Sequence, residues 1–413
     1  MTLFKISLFL TGFFSLFAIP SYNGVLLVHI FLVISLFLSF CLLFTKENIF
    51  LLKAEYSLLL IGILYYASVM FGTINSGAYE GLLTSQLFFM SFLLVFIMHK
   101  IGDNYKLINI FLKGFVYSGI ATSLYCIIDF IYFYSGNFNT LNNVIWPQML
   151  LSKSNEHTFL NQINLFGIIL FRPSGFSWDP GLSITGLIIA FVFVSESIVK
   201  LKLRKLVLLL FSIAIIISTS RTSVISLLFY LFIVKKVQNL YIRFGYDKVS
   251  VLNYLAVFIL FFFLYIGLFI PYDGSISNLG TARHLKYFSS TFYFYRQNIF
   301  EFLFGYGYTG VGQYFNEYVP WLKNTGDFYF DNNLNPESTL TNVFFYGGSI
   351  GSLFWVITYL QSFLKGAKEV KTILLILLLL SNGYAINSVW FNMIYNILII
   401  YGITKWRQNE IIH

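Results

Sequence analysis

The chain has 413 residues, of which 58% are hydrophobic, 20% are aromatic and only 10% are charged, and its formal net charge is +9. Soluble globular domains carry about 25% charged residues, and a soluble fold of this length could not bury so much apolar surface. The composition therefore excludes an ordinary soluble enzyme and predicts helices solvated by lipid. The basic residues form short clusters between apolar runs, which is not the single basic groove of a nucleic-acid-binding protein.

The cysteine and histidine residues do not indicate a disulfide framework or a metal site. Cys41 and Cys126 both lie inside apolar runs, and the five histidines are scattered without metal-ligand spacing. We therefore predict no metal and no cofactor.

Apolar runs of about 20 residues predict an all-α polytopic membrane protein with about twelve transmembrane helices. The pairs within 205–236 and 372–404 are each open to a second interpretation as one broken or re-entrant hairpin, because Arg221 and Asn382 interrupt them. The predicted spans are 3–19, 24–44, 56–74, 82–98, 110–134, 181–199, 205–219, 222–236, 251–270, 339–363, 372–388 and 390–404.

The positions of the lysines and arginines predict the orientation of these spans. With both termini in the cytoplasm, most of the 26 basic residues fall on inner connections, as the positive-inside rule requires.

The predicted spans and loops divide the chain into three regions. Residues 1–270 hold helices 1–9 with an outer loop near 135–180, residues 271–338 form one large extracytoplasmic loop, and residues 339–413 hold helices 10–12 and a cytoplasmic tail. Loops of this length are usually functional.

The segment Arg172-Pro-Ser-Gly-Phe-Ser-Trp-Asp-Pro-Gly181 precedes the predicted span 181–199 on the outer side. Its prolines and glycines predict a turn before a helix, with Asp179 as N-cap and Pro180 at the first helical position. For Asp179 this structural role and a substrate-binding role both stay open. The donor fork of a guanidinium matches phosphate oxygens, so Arg172 is predicted to bind phosphate or pyrophosphate.

The segment Ser218-Thr-Ser-Arg-Thr-Ser223 places one arginine among five hydroxyl residues between two apolar runs. An ionisable group at such a position indicates function, whereas snorkelling to the interface is the structural alternative. We favour function for Arg221, because hydroxyl groups such as that of Ser220 supply further donors beside the charge.

The large loop contributes Arg283, Arg296 and Glu337 as candidates. Arg283 shares a predicted helix face with Lys286, and for Arg296 a solvated helix face is the favoured interpretation. Glu337 lies where the loop re-enters the membrane, either as a general base for a sugar hydroxyl or as a first-turn acid favoured by the helix dipole. The run 305–310 matches G-x-G-x-x-G but lacks a βαβ context, so it predicts a turn-rich loop and not a dinucleotide site.

Three stretches of the chain carry a resemblance: R-x-x-G-x-x-x-D-P at 172–180, S-x-S-R-x-x-x-x-x-L at 218–227, and the segment from Glu337 to Gly351. Together with the outer placement of these stretches and the late large loop, they resemble the O-antigen polymerase (Wzy) family and its relatives in the O-antigen ligase superfamily. The glycine-rich run at 304–310 also looks like the stretch that such loops contain.

The resemblance implies a GT-C-type membrane glycosyltransferase in a bacterial plasma membrane, with its active site facing the periplasm or the cell exterior. It implies transfer of a glycan from undecaprenyl pyrophosphate onto a lipid-linked repeat unit of O-antigen or capsule, without nucleotide sugar or a required metal. Arg172, Arg221 and Arg283 would then bind pyrophosphate, Glu337 would orient or deprotonate the acceptor hydroxyl, and Trp321 would stack on a sugar. A chain-length regulator is a further candidate partner.

Two alternative functions stay open. The first is an O-antigen ligase that transfers polymer to lipid A core. Ligases carry a histidine at the re-entry of the loop, where this chain has Glu337, so the polymerase is favoured. The second is a flippase or transporter of lipid-linked oligosaccharide, which would be expected to have charges lining mid-membrane and paired interrupted helices.

Overall fold

In the computed structural model the chain is mostly helical. The structure describes residues 1–18, 21–22, 25–45, 53–75, 81–101, 104–146, 162–165, 168–177, 180–235, 299–307, 339–365, 368–383 and 389–410. The α-helices in these ranges are α1 (Thr2–Phe13), α2 (Leu27–Phe44), α3 (Lys53–Asn75), α4 (Gly81–Ile101), α5 (Asn104–Tyr132), α6 (Leu141–Ile145), α7 (Pro180–Ser195), α8 (Arg204–Ile217), α9 (Arg221–Leu228), α10 (Ile299–Phe304), α11 (Thr339–Lys365), α12 (Lys368–Gly383) and α13 (Val389–Glu410). A 3-10 turn at Phe14–Leu16 continues α1, and π-helical turns at Phe133–Asn137 and Phe229–Val234 continue α5 and α9.

Two short antiparallel hairpins accompany the helices. Strands β1 (Ser21–Tyr22) and β2 (Val25–Leu26) connect α1 to α2. Strands β3 (Gln162–Leu165) and β4 (Ile168–Phe171) lie in the outer loop predicted at 135–180, with Gln162 opposite Phe171. The second hairpin ends directly before Arg172, so the end of β4 determines the backbone position of that candidate residue.

The helix positions agree with the apolar runs. Eleven of the twelve predicted segments fall on helices in the described ranges, and the segment 251–270 lies outside them. In the part of the chain that the structure describes, two helices are long and apolar enough, by length and composition, to cross a membrane, namely Leu27–Phe44 and the stretch Lys106–Asn137. Helix α8 has 14 residues, which is shorter than the roughly 20 that a full span needs.

The described residues divide between two compact units. Unit 1 comprises Met1–Ile49, Leu93–Ile233 and Ser388–Ile394. In this unit α5 packs against α1, α7 and α8, and its core includes the fully buried Phe111, Phe115 and Phe211. Helices α1 and α5 cross with their backbones in contact, since a Cβ atom at Gly12 would lie 2.2 Å from the Phe111 carbonyl oxygen. Glycine is therefore required at this crossing.

Unit 2 comprises Phe50–Phe92, Val234–Asn387 and Tyr395–His413. Here α11 packs against α3, α10 and α12. Helix α11 is interrupted at Gly348, whose φ of 57° and ψ of −157° leave the helical region. The rings of Trp355 and Tyr359 stack at 5.2 Å on the C-terminal half of α11.

Candidate functional site

Arg172 and the serine-rich segment at 218–223 meet in the folded chain. The Nε atom of Arg172 donates a hydrogen bond to the backbone carbonyl oxygen of Ser218 at 3.2 Å. Ser218 follows the last residue of α8, and Arg221 is the first residue of α9. A positive side chain at the C-terminal end of a helix is favoured by the helix dipole. Two of the three predicted motifs are thus joined, although 46 positions separate the bonded residues.

The break between α8 and α9 is a strained turn. Thr219 has a φ of +47°, a conformation that a β-branched residue rarely adopts and that costs roughly 1–3 kcal/mol. The Thr219 hydroxyl is buried and has no hydrogen-bond partner among the described residues. Ser220, which is also buried, occupies the N-cap position of α9 and donates its hydroxyl to Ser223 Oγ at 3.0 Å. Strain of this kind is found at functional sites more often than elsewhere.

The loop that follows Arg172 is packed tightly against α5. Gly175 has a φ of +65°, and a Cβ atom there would lie 2.6 Å from Thr122 Cγ2. The ring of Phe176 stacks on Phe17 at 4.1 Å and contacts Tyr125 at 4.4 Å. Glycine at position 175 therefore permits the conformation of this loop, and the two aromatic contacts of Phe176 stabilise it.

A buried asparagine, which the sequence did not single out, binds the same loop. Asn142 on α6 is fully buried, and its Nδ2 atom donates to the carbonyl oxygens of Gly175 at 3.0 Å and Ser177 at 3.2 Å. The same nitrogen lies 3.4 Å from Ser174 Oγ, and Asn142 Oδ1 accepts from the Tyr125 hydroxyl at 2.9 Å. The available signal was modest: a polar Thr-Leu-Asn-Asn run inside a loop long enough to be functional.

The remaining predicted site residues are only partly within reach of the structure. For Arg221 the structure describes the backbone at the start of α9 but not the side chain. The candidates outside the described residues are Asp179, Arg283, Arg296, Trp321 and Glu337. Their meeting with Arg172 stays a prediction.

The two glycine-rich stretches of unit 2 lie against each other. The Tyr306 amide donates to the Phe345 carbonyl oxygen at 2.8 Å, and the Gly307 amide donates to that of Tyr346 at 3.2 Å. Gly305 has a φ of +77°, and a Cβ atom there would lie 2.6 Å from the Gly348 amide nitrogen. In the described part of the run at 305–310, Gly305 and Gly307 thus serve a close backbone contact, as expected of a turn and not of a dinucleotide site.

Among the described residues there is no group of three or more His, Cys, Asp or Glu side chains placed to hold a metal ion. Comparison of the chain with protein-family models, with curated proteins and with solved structures gives no match to any of them.

Proposed function

We propose that this protein is a polytopic membrane glycosyltransferase that polymerises a bacterial surface polysaccharide, O-antigen or capsule. It takes the growing glycan from undecaprenyl pyrophosphate and transfers it to a lipid-linked repeat unit on the outer side of the plasma membrane. The observation that carries the proposal is the 3.2 Å hydrogen bond from Arg172 Nε to Ser218 O, because it joins the two motifs that supply Arg172 and Arg221.

The proposed reaction requires cationic groups beside the leaving pyrophosphate. The acceptor hydroxyl attacks the anomeric carbon of the donor sugar, the bond from that carbon to the pyrophosphate oxygen breaks, and the electron pair stays on the pyrophosphate. The hydroxyl proton passes to a base, for which Glu337 is the candidate. Guanidinium groups that hold the leaving pyrophosphate stabilise its developing charge, and such electrostatic stabilisation supplies much of the rate enhancement of many enzymes. Arg172 and Arg221 are the residues to which we assign that task.

A membrane location is supported by the apolar surface of α8. One face of this helix is buried through Phe211 and Ala214, while the opposite face exposes Leu206, Leu209 and Ile216 with more than half of each side chain accessible. Burying a leucine or isoleucine is worth roughly 1.5–3 kcal/mol, a gain that lipid supplies and water does not. A helix that is apolar on both faces and half exposed fits a bilayer.

The proposal is tested by deleting the gene and separating the surface glycans on a gel. Loss of a polymerase leaves single repeat units attached to their final acceptor, loss of a flippase leaves no exported glycan, and loss of a ligase leaves polymer on the lipid carrier. We expect the single-unit pattern. Either of the other two patterns would replace the polymerase with one of the alternatives.

The role of Arg172 is tested by Arg172→Ala against Arg204→Ala, with both proteins checked for expression. Arg204 also donates to a backbone carbonyl, that of Ser195 at 2.5 Å, but it begins α8 and so lies about 21 Å from the end that Arg172 contacts. Loss of one electrostatic donor costs on the order of 10²-fold in rate. We therefore expect only single units with Arg172→Ala and a normal ladder with Arg204→Ala.

A normal ladder with Arg172→Ala would remove Arg172 from the site. Equal losses with both variants would mean that capping a helix end, and not pyrophosphate binding, explains the contact.

A further inference from the structure

The segment around Arg172 is anchored on both sides. Before it, the Phe171 amide donates to the Tyr134 hydroxyl at 3.1 Å, and the Phe171 ring stacks on Phe133 at 4.3 Å. After it, Pro173 restricts the backbone, and the carbonyl oxygen of Ser174 accepts from Ser183 Oγ at 2.5 Å. The direction in which Arg172 leaves the backbone therefore depends on both anchors.

The anchor that follows Arg172 also includes Asn142. The side-chain amide of Asn142 contacts three loop positions, namely 174, 175 and 177, and no polar atom of this side-chain amide lacks a partner. An asparagine side chain that is fully buried and bound to backbone carbonyls holds those carbonyls in place, because leaving them without a donor costs about 1–3 kcal/mol each.

Helix α6, which carries Asn142, is itself fixed by a buried carboxylate of α5. Asp129 accepts a hydrogen bond from the Leu141 amide at 2.8 Å and from the Thr140 hydroxyl at 3.1 Å. Both contacts are at the N-terminal end of α6, where a negative charge is favoured. The Thr140 hydroxyl also caps the helix, because it accepts a hydrogen bond from the backbone amide of Asn142 at 3.3 Å. Asn142 is therefore mounted rigidly on the α5 scaffold.

We propose that Asn142 is a positioning residue for Arg172, holding the 174–177 loop so that the guanidinium stays at the α8–α9 break. This inference rests on the proposed function, in which Arg172 binds pyrophosphate. Asn142 does not touch the substrate. It acts through the loop backbone, with the Tyr125 hydroxyl fixing the orientation of its amide.

The test measures the affinity of inorganic pyrophosphate for the full chain, purified in detergent, by calorimetry. The variants are Asn142→Ala, Arg172→Ala and the matched control Asn143→Ala. Asn143 is the next residue of α6, and its side-chain amide donates to Asn139 Oδ1 at 2.9 Å instead of to the 174–177 loop. We expect the dissociation constant to rise about tenfold with Arg172→Ala, at least threefold with Asn142→Ala, and less than twofold with Asn143→Ala.

The double variant separates positioning from an independent role. If Asn142 acts through Arg172, adding Asn142→Ala to Arg172→Ala should weaken binding by less than a further twofold, because coupled residues are not additive. If Asn142→Ala prevents folding, Tyr125→Phe serves instead, since it removes one hydroxyl and keeps the ring on Phe176. For Tyr125→Phe we expect a two- to threefold rise in the dissociation constant.

The outcomes are distinguishable. Wild-type affinity in Arg172→Ala would overturn the pyrophosphate role of Arg172 and with it the proposed site. Weakened affinity in Arg172→Ala with wild-type affinity in Asn142→Ala, or in Tyr125→Phe where the first variant does not fold, would overturn only the positioning role. A lower melting temperature without a change in affinity would make Asn142 a stabilising residue alone.

Discussion

At the scale of single residues, two adjacent glycines in α11 have different physical roles. Gly348 has φ 57° and ψ −157°, a region that is essentially restricted to glycine, and a Cβ atom there would lie 2.5 Å from the Gly305 amide nitrogen. At Gly347 a Cβ atom would meet nothing nearer than Tyr65 Cε2 at 3.5 Å, an ordinary contact. The helix break therefore depends on the second glycine and not on the first.

We expect Gly348→Ala to lower the free energy of unfolding by about 1–3 kcal/mol or more, from backbone strain and the clash with Gly305. Gly347→Ala should change it by less than about 1 kcal/mol, in the stabilising direction, because alanine is the better helix former. Thermal unfolding of the purified variants, followed by circular dichroism in one detergent, provides the comparison. Equal destabilisation by both substitutions would show that side-chain volume, and not backbone conformation, governs this position.

At the scale of elements, the crossing of α1 and α5 is set by glycines on both helices. A Cβ atom at Gly114 would lie 2.2 Å from the Phe9 carbonyl oxygen, just as one at Gly12 would meet that of Phe111. Small residues let membrane helices approach until their backbones touch, where dispersion and weak hydrogen bonds replace the hydrophobic driving force that lipid removes. The blocking atoms are main-chain atoms, so a side chain could fit only if the helices moved apart.

Gly12→Leu is therefore expected to destabilise unit 1 by about 1–3 kcal/mol or more, the cost of overpacking. The matched control is Ile6→Leu, which introduces the same residue at an exposed position of α1 and should change stability by less than about 0.5 kcal/mol. A thiol-reactive dye reports unfolding in a Cys41→Ser background, because the remaining Cys126 is buried on α5. If Gly12→Leu and Ile6→Leu expose Cys126 at the same temperature, the close crossing is not important for stability.

At the scale of the whole molecule, the distribution of basic residues predicts which side of the membrane each connection occupies. The turn after α5 belongs to the predicted outer side, and the Lys200–Lys205 cluster before and at the start of α8 belongs to the inner side. The candidate Arg172 is predicted on the same outer side as the turn after α5. The proposed reaction requires that side, because the lipid-linked donor is used outside the cytoplasm.

Cysteine labelling tests this orientation in a Cys41→Ser, Cys126→Ala background. Ser135 and Lys202 are both exposed, and they lie at opposite ends of the predicted spans. We expect Ser135→Cys to react with a membrane-impermeant maleimide when the outer face of the plasma membrane is accessible, and Lys202→Cys to react only after that membrane is permeabilised. The reversed pattern would place Arg172 in the cytoplasm and contradict the proposed reaction.

The helices and the first contact of the site differ in how far the sequence could predict them. Apolar run length and helix-breaking residues are local properties, so they located α8 within a few residues, and also α9 once its π-helical continuation to Val234 is included, and they marked the interruption near Arg221. The pairing of Arg172 with the 218–223 segment was predicted through a resemblance and not through any local pattern. The structure contains the Arg172–Ser218 contact, whereas the pyrophosphate that would be bound there stays a prediction.

By itself, the sequence determined that the described part of the chain is mostly helical, where its long apolar helices lie and which segments carry candidate charges, because hydropathy and backbone hydrogen bonding act over neighbouring residues. Only the tertiary structure decided that Asn142 binds the backbone at Gly175, that Gly305 meets Gly348, and that Gly12 touches Phe111. These contacts join residues at least 33 positions apart. They depend on how whole helices cross. The hydrophobic periodicity of a sequence predicts which face of a helix is buried, but not which residues of two helices meet at their crossing.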